Sequence, residues 1–254
     1  MIGFVGAGNM ARAIARGLGE PVLATDSGSG RAAALVAELG GEALTSNAEL
    51  FRHSDVVFLG HRPDQLTDVA KGVDADSKLV ISMMGPTTVA ELQAAYPGAS
   101  VVRIMPNLPV ELGRGVVAVA EGGETAIPIL ERLGLVIVLP EAQMNLATAT
   151  AGVMPALIAV LAEAAIDGAV CHGLDVGRAR DMFLHTLAGT AELILKRGGD
   201  TLAVRREVGT PGESTVRGVA ALERNNVRTA FMDAYHDVLT RLSMPYTGGV
   251  VITR

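Results

Sequence analysis

The chain opens on a short apolar run, Ile2 to Val5, which ends in Gly6-Ala7-Gly8-Asn9-Met10-Ala11. No other feature limits the possible folds as tightly. The run reads as a buried parallel strand. Met10, Ala13, Ile14 and Leu18 then fall near one face of a helix. A G-x-G-x-x-A pattern between a strand and a helix is the fingerprint of a dinucleotide loop. Gly6 permits the tight turn, Gly8 lets backbone approach a pyrophosphate, and Ala11 keeps the helix close to the sheet. Asn9 ends the turn and Met10 starts that helix, whose free N–H groups and dipole suit phosphates. The alternative is a structural turn in another α/β protein.

Further apolar runs follow at Val22–Thr25, Val56–Leu59, Leu79–Ser82, Val101–Met105, Val116–Val119 and Leu135–Val138. They lack clean alternation, and helical segments separate them at 31–39, 88–95 and 125–133. That pattern predicts a largely parallel sheet covered on both faces. From Gln143 onward β-branched runs fade and helical spacing dominates. Helices are predicted over 143–172, 176–196 and 215–240, with a kink at Pro155 and an interruption at Gly168. The fold class is therefore α/β: an N-terminal Rossmann domain over 1–142, then an all-helical domain over 143–254. The helical half is too elongated and apolar for a self-sufficient lid, so a second subunit is expected to cover it.

Composition narrows the function. Nearly half of the 254 residues are hydrophobic, with no Trp, three Tyr and five Phe, and the formal net charge is −6. Base stacking has little to work with, and no basic block marks a phosphate-backbone footprint, so nucleic acid is not an expected partner. Cys171 is the only cysteine. It allows no intrachain disulfide and no thiolate zinc site, and the start of the chain lacks a signal-peptide pattern. A cytoplasmic location is expected. The apolar stretch 147–166 contains Thr148, Thr150, Gly152, Pro155 and Glu163. It reads as a buried helix of a soluble protein rather than a membrane span.

Asp26 ends the second strand about 20 residues past the glycines, where an acid can accept hydrogen bonds from ribose hydroxyls and favour NAD. Ser27, Ser29 and Arg31 offer donors to a 2′-phosphate if Asp26 turns away, so NADH and NADPH both stay open. Arg62-Pro63, Ser82–Gly85 and Met105-Pro106-Asn107 follow consecutive strands and suggest one crevice above the sheet. His53, His61, His172, His185 and His236 are scattered, and no metal-ligand spacing appears. No nucleophile elbow is present either. Hydride reduction of an imine needs neither device in strong form. The Pro211–Thr215 loop offers a hydroxyl and helix-start N–H groups, although simple helix capping explains the same residues.

Together these residues resemble the pyrroline-5-carboxylate reductase family. Gly6–Ala11 is similar to its opening, Arg62-Pro63 to its Lys-Pro element, and Met105-Pro106-Asn107-Leu108-Pro109 to its Met-Pro-Asn-Thr-Pro stretch. Gly173-Leu174 and the 186–193 segment are similar to its helical domain. Pro211-Gly212-Glu213-Ser214-Thr215 resembles its Ser-Pro-Gly-Gly-Thr-Thr signature. The resemblance implies a Rossmann domain, a helical dimerisation domain, an active site shared between subunits, and reduction of 1-pyrroline-5-carboxylate to L-proline by NADPH or NADH. It implies that Asn107 lies near the nicotinamide and that the Thr215 hydroxyl contacts the imine nitrogen. The backbone of Pro211, Gly212, Glu213, Ser214 and Thr215 would then hold the substrate carboxylate.

Four departures stand out. The family's Ser-Gly-Ser-Gly-Pro-Ala reads Ala151-Gly152-Val153-Met154-Pro155-Ala156, which places Val153 and Met154 in the expected substrate pocket. Glu213 replaces a glycine, Asp64 replaces the glutamine of Lys-Pro-Gln, and Asp26-Ser27 replaces an Asn-Arg pair. A specialised reductase of another cyclic imine, or a non-catalytic dinucleotide-binding regulator, are the competing readings.

Overall fold

The structure is a computed structural model and describes residues 1–244. The described residues form two compact units, Met1–Val153 with residues 239–244, and Met154–Val238. The first unit runs β1 (Ile2–Val5), α1 (Asn9–Leu18), β2 (Val22–Thr25), α2 (Arg31–Leu39), β3 (Gly41–Ala43), α3 (Asn47–His53) and β4 (Val56–Leu59). It continues α4 (Leu66–Ala70), β5 (Leu79–Ser82), α5 (Val89–Ala95), β6 (Ser100–Pro106), β7 (Gly115–Ala120), α6 (Ile127–Leu130), β8 (Gly134–Leu139) and α7 (Met144–Ala147).

The eight strands form one sheet in the order β3-β2-β1-β4-β5-β6-β7-β8. Pairing is parallel from β3 across to β6, antiparallel between β6 and β7, and parallel again between β7 and β8. The predicted Rossmann sheet is thus present with a single reversed pair. Strand order reverses between β1 and β4, which opens a crevice at their carboxyl ends.

Successive strand residues point to opposite faces, so each continuous apolar run feeds two cores. Phe4, Phe58, Ile81, Val102 and Ile104 meet Ile14 and Leu18 of α1 on one face. Val5, Val57, Leu59, Val80 and Val101 meet Leu50, Phe51 and Leu92 on the other. Phe4 stacks on Phe58 at 5.0 Å and Phe51 on Tyr96 at 5.5 Å. Helix α1 lies so close to the turn after β6 that a Cβ on Gly17 would stand 2.1 Å from the Val110 carbonyl oxygen.

The helix predicted over 125–133 is divided into two short 3-10 turns around α6. The helix predicted over 143–172 is also divided. After α7 the chain winds one π-helical turn, Thr148–Gly152, before α8 (Met154–Cys171) begins. Pro155 is the second residue of α8, so it marks a restart rather than a kink, and Gly168 does not interrupt the helix.

The second unit continues with α9 (Val176–Lys196), α10 (Thr201–Val208), α11 (Ser214–Arg224) and α12 (Val227–Leu242). The single helix predicted over 215–240 divides at Asn225-Asn226, where Asn226 adopts a left-handed φ of 56°. These helices bury little in one chain: among the side chains of α8 only Ala162 is buried, and Val160, Leu195 and Met232 are 62%, 77% and 72% exposed. The expectation of a buried helix over 147–166 is therefore not met within a single chain. The span Glu141–Cys171, of mean hydropathy 1.8, is long and apolar enough to cross a membrane.

Candidate functional site

The loop after β1 is shaped by two close approaches. Gly6 sits at φ +91°, and a Cβ there would stand 2.9 Å from the Gly60 carbonyl carbon. Both the dihedral and the contact require glycine. Gly8 is the N-cap of α1, and no side chain caps that helix. A Cβ on Gly8 would meet nothing within 4 Å. The first N–H groups of a ten-residue helix thus lack side-chain partners and adjoin a cleft of about 460 Å³. An anion placed there gains both donors and dipole.

Gly6, Gly8, Asp26, Ser27 and Arg62 line this cleft together, joined by Ser29, Arg31, Asn47, His61 and Gln65. Asn9 and Met10 form the helix start beside it. Pro63 instead lines a neighbouring cavity of about 820 Å³ with Asp64, Pro86, Thr88, Glu91 and Arg103. Asp26 lines the cleft, yet its carboxylate is engaged by its own loop and the start of α2. Its Oδ1 accepts the N–H groups of Gly28 at 2.7 Å and Ser29 at 3.0 Å. Its Oδ2 accepts the Ser29 hydroxyl at 3.1 Å and the Ala32 N–H at 2.8 Å. The Ala32 amide is the chief reason its pKa lies below the usual aspartate value; burial opposes it, and Gly28 and Ser29 add to it.

His61 follows β4 and contacts the Arg62 carbonyl oxygen through Nδ1 at 2.9 Å, while its Nε2 is buried without a partner. Burial pushes its pKa below the usual histidine value, so the ring is neutral and Nδ1 carries the proton. Arg62 is exposed, 3.4 Å from Asp64.

Asn107 follows β6 and is buried. Its Oδ1 accepts the Val116 N–H at 2.9 Å and its Nδ2 donates to the Ala151 carbonyl at 3.3 Å. It therefore ties β7 to the π-helical turn. Val153 closes that turn and Met154 opens α8, both half-buried. Pro211, Gly212, Glu213, Ser214 and Thr215 belong to the second unit, around the start of α11. Thr215 is half-buried there, the other four are exposed, and Gly212 takes φ +87°. Glu213 is the N-cap residue, yet its carboxylate accepts no capping hydrogen bond.

Asn47 escaped the sequence reading, since nothing around it marks a dinucleotide contact, whereas Gln65 belongs to the loop after β4 that the sequence places over the cofactor. Arg103 escaped it too, although a lone charge within Val101-Val102-Arg103-Ile104-Met105 is itself a signal. Among the described residues no group of three His, Cys, Asp or Glu is placed to hold a metal.

Comparison with known proteins gives a consistent picture. A family model described as pyrroline-5-carboxylate reductase dimerisation matches residues 141–244, and one described as NADP oxidoreductase, coenzyme F420-dependent, matches residues 1–86. The pyrroline-5-carboxylate reductase of Methanosarcina acetivorans is 30% identical over 92% of this chain and 93% of its own. Pyrroline-5-carboxylate reductase 3 of Bos taurus is 32% identical over 92% of this chain and 81% of its own. Among solved structures, the Coxiella burnetii pyrroline-5-carboxylate reductase aligns with a TM-score of 0.82 at 26% identity, over 95% of this chain and 96% of that one. The Plasmodium falciparum pyrroline carboxylate reductase, solved with NADP bound, aligns with a TM-score of 0.83 at 24% identity, over 95% and 96%.

Proposed function

The chain belongs to the pyrroline-5-carboxylate reductase family, oxidoreductases that act on a C=N bond with NAD(P)H, and we propose that its own reaction is reduction of 1-pyrroline-5-carboxylate to L-proline. The observation that carries the reading is the open first turn of α1. It leaves N–H groups and the Gly8 backbone facing a cleft of the right chemistry for a diphosphate. NADPH or NADH, when bound, supplies a hydride for the imine carbon.

The chain's own residues bind, orient and shield. Gly6 and Gly8, with the N–H groups of Asn9 and Met10, hold the diphosphate. Asp26 organises the loop that carries Ser27, Ser29 and Arg31 toward the adenosine ribose. The Thr215 hydroxyl orients the ring nitrogen, and the backbone of 211–215 holds the substrate. Asn107 positions the turn that carries Val153 and Met154. Desolvation of such a pocket strengthens each of these contacts. A second copy of the chain covers the exposed apolar faces of α8, α9 and α12, and the protein works in the cytoplasm, where the exposed free thiol of Cys171 stays reduced.

One observation favours a second substrate. The Glu213 carboxylate, without an ion pair among the described residues, stands at the start of α11, where it would repel an anionic ring, so an imine without a carboxylate is the second reading. Oxidation of the reduced dinucleotide, followed with a panel of carboxylated and uncarboxylated cyclic imines, separates the two. Turnover of none of them, by protein that binds the dinucleotide, leaves a non-catalytic binder. Thr215→Val is expected to lower turnover while dinucleotide affinity stays nearly unchanged; a binder is indifferent to it.

A further inference from the structure

Strand β6 carries one charge inside an apolar run, and that charge is buried: Arg103 is 6% exposed. Its Nη1 donates to Glu141 Oε1 at 2.9 Å and its Nη2 to the Gly85 carbonyl at 2.5 Å. The same Glu141 oxygen accepts the Val89 N–H, at the first residue of α5, at 2.8 Å. One ion pair thus joins the loop between β5 and α5, strand β6, and the turn after β8. Arg103 is buried while Glu141 is half-exposed; desolvation of the guanidinium offsets much of the attraction, and the best-attested use of such a pair is to hold a single arrangement.

What this pair holds can be traced residue by residue. Ser82 is in register with Arg103, and its hydroxyl accepts the Met84 N–H at 3.3 Å. The Met84 carbonyl accepts the Thr87 N–H at 3.2 Å, so the loop from Met83 to Thr87 is pinned along its length. The Met83 sulfur lies 3.5 Å from the place a Cβ on Gly60 would take, and Gly60 lines the dinucleotide cleft. Met105 is two residues beyond Arg103 on the same face of β6. It sits between Gly85 and Gly152, 3.7 Å and 3.3 Å from their Cβ positions.

We propose that Arg103 and Glu141 are a positioning pair, which fixes the Met83–Thr87 loop and Met105 as one wall of the crevice and so orients the nicotinamide half of the dinucleotide. The inference rests on the dinucleotide reading of the cleft. In a crevice of this topology the adenosine half lies toward β2, beside Asp26, and the other half toward the ends of β4, β5 and β6. The pair acts through Gly85 and Val89.

The test compares the affinity of the reduced dinucleotide with that of ADP-ribose, which lacks the nicotinamide ring. It also records the fluorescence enhancement of the bound reduced nicotinamide. The proteins are wild type, R103K, E141Q, R103M and the double variant R103M/E141M. R103M is expected to lose about tenfold in dinucleotide affinity, and most of the enhancement, while ADP-ribose affinity stays within roughly twofold. R103K keeps the charge but lacks the planar fork that reaches both Glu141 and Gly85, so an intermediate loss is expected. E141Q keeps an acceptor for Arg103 and Val89 but leaves the Arg103 charge unpaired, so a loss smaller than that of R103M is expected. The double variant leaves no unpaired charge, so it reports on binding even where R103M fails to fold, and the enhancement stays lost. Equal falls in both affinities for R103K and the double variant, or unchanged enhancement in them, would overturn the assignment. A wild type that binds neither ligand overturns the dinucleotide reading itself.

Discussion

The side-chain amide of Asn107 donates to the carbonyl of Ala151, 3.3 Å away, and that carbonyl is free because Pro155, four residues on, has no N–H to offer it. The turn that holds Ala151, Thr148–Gly152, is π-helical. The Val153 N–H reaches back five residues to Thr148 at 3.0 Å, and the Thr148 hydroxyl bonds the Met144 carbonyl at 3.0 Å. Asn107 and Pro155 therefore act on one oxygen from two sides. Asn107→Ala strands the half-buried Val116 N–H and the Ala151 carbonyl, an expected loss of about 1 kcal/mol by denaturant unfolding. Pro155→Ala supplies the missing donor, so the double variant should lose less than the sum of the singles. Additivity within about 0.5 kcal/mol would show that the two residues do not share the carbonyl.

Asp26 makes the loop after β2 sensitive to acid. Its carboxylate satisfies the Ala32 N–H in the first turn of α2, whose N-cap residue, Gly30, has no side chain to do so. Asp26→Ala is expected to cost about 1 kcal/mol, the scale of a lost cap. The native pKa lies below the usual 3.8, so this stabilisation is complete above the unfolded value and fades as pH falls through the native one. The gap in thermal stability between wild type and Asp26→Asn should therefore begin to close as pH falls below about 4 and close fully once pH passes the lower native pKa. A gap that persists or widens there would remove the carboxylate from the explanation.

The sheet was legible because each central strand is a continuous apolar run that both faces need. Val57 and Phe58, or Val101 and Val102, serve opposite cores while adjacent in sequence. Edge strand β3 has no such imprint: Gly41, Glu42 and Ala43 are all exposed. Helix α3 did leave a sign, in Ser46 and Glu49. The Ser46 hydroxyl accepts the Glu49 N–H at 3.4 Å, but the helix is only seven residues long and periodicity over it is weak. The break in the helix predicted over 143–172 was half visible. Pro155 signalled it, whereas the contact of Asn107 with that turn comes from 44 residues earlier, which no local pattern reveals. The glycines of the cleft were readable from spacing alone. The orientation of Asp26 was not, since a carboxylate that turns inward on its own loop looks in sequence like one that faces a ribose.

That orientation bears on cofactor choice. All four lone-pair sites of the Asp26 carboxylate are used within its loop, so none is left for a ribose hydroxyl. Arg31 lines the same cleft and makes no ion pair among the described residues. The geometry predicts tighter binding of NADPH than of NADH. Arg31→Ala is expected to weaken NADPH by about tenfold and NADH by less than roughly twofold, measured by titration of nicotinamide fluorescence. Equal weakening of both would place Arg31 away from the 2′-phosphate.

Glu213 supplies the sharpest question about substrate. It is the N-cap residue of α11, its carboxylate makes no capping bond, and the turn before it is closed by the Glu213 N–H to the Thr210 carbonyl at 3.2 Å. Glycine accepts the Glu213 backbone, φ −88° and ψ 170°, at small cost, and costs an N-cap only a few tenths of a kcal/mol where a capping side chain is lost. Glu213→Gly should therefore fold normally. It removes a negative charge from a helix start that otherwise attracts anions. If that helix start receives the ring carboxylate, kcat/KM for 1-pyrroline-5-carboxylate rises by about three- to tenfold, mostly through KM, and an uncarboxylated cyclic imine gains nothing. Added salt should narrow the gap between variant and wild type, because screening weakens the repulsion the variant removes. A fall in kcat/KM for the carboxylated ring, with the fold intact, would mean that Glu213 contacts the substrate favourably, at the protonated ring nitrogen rather than at the carboxylate.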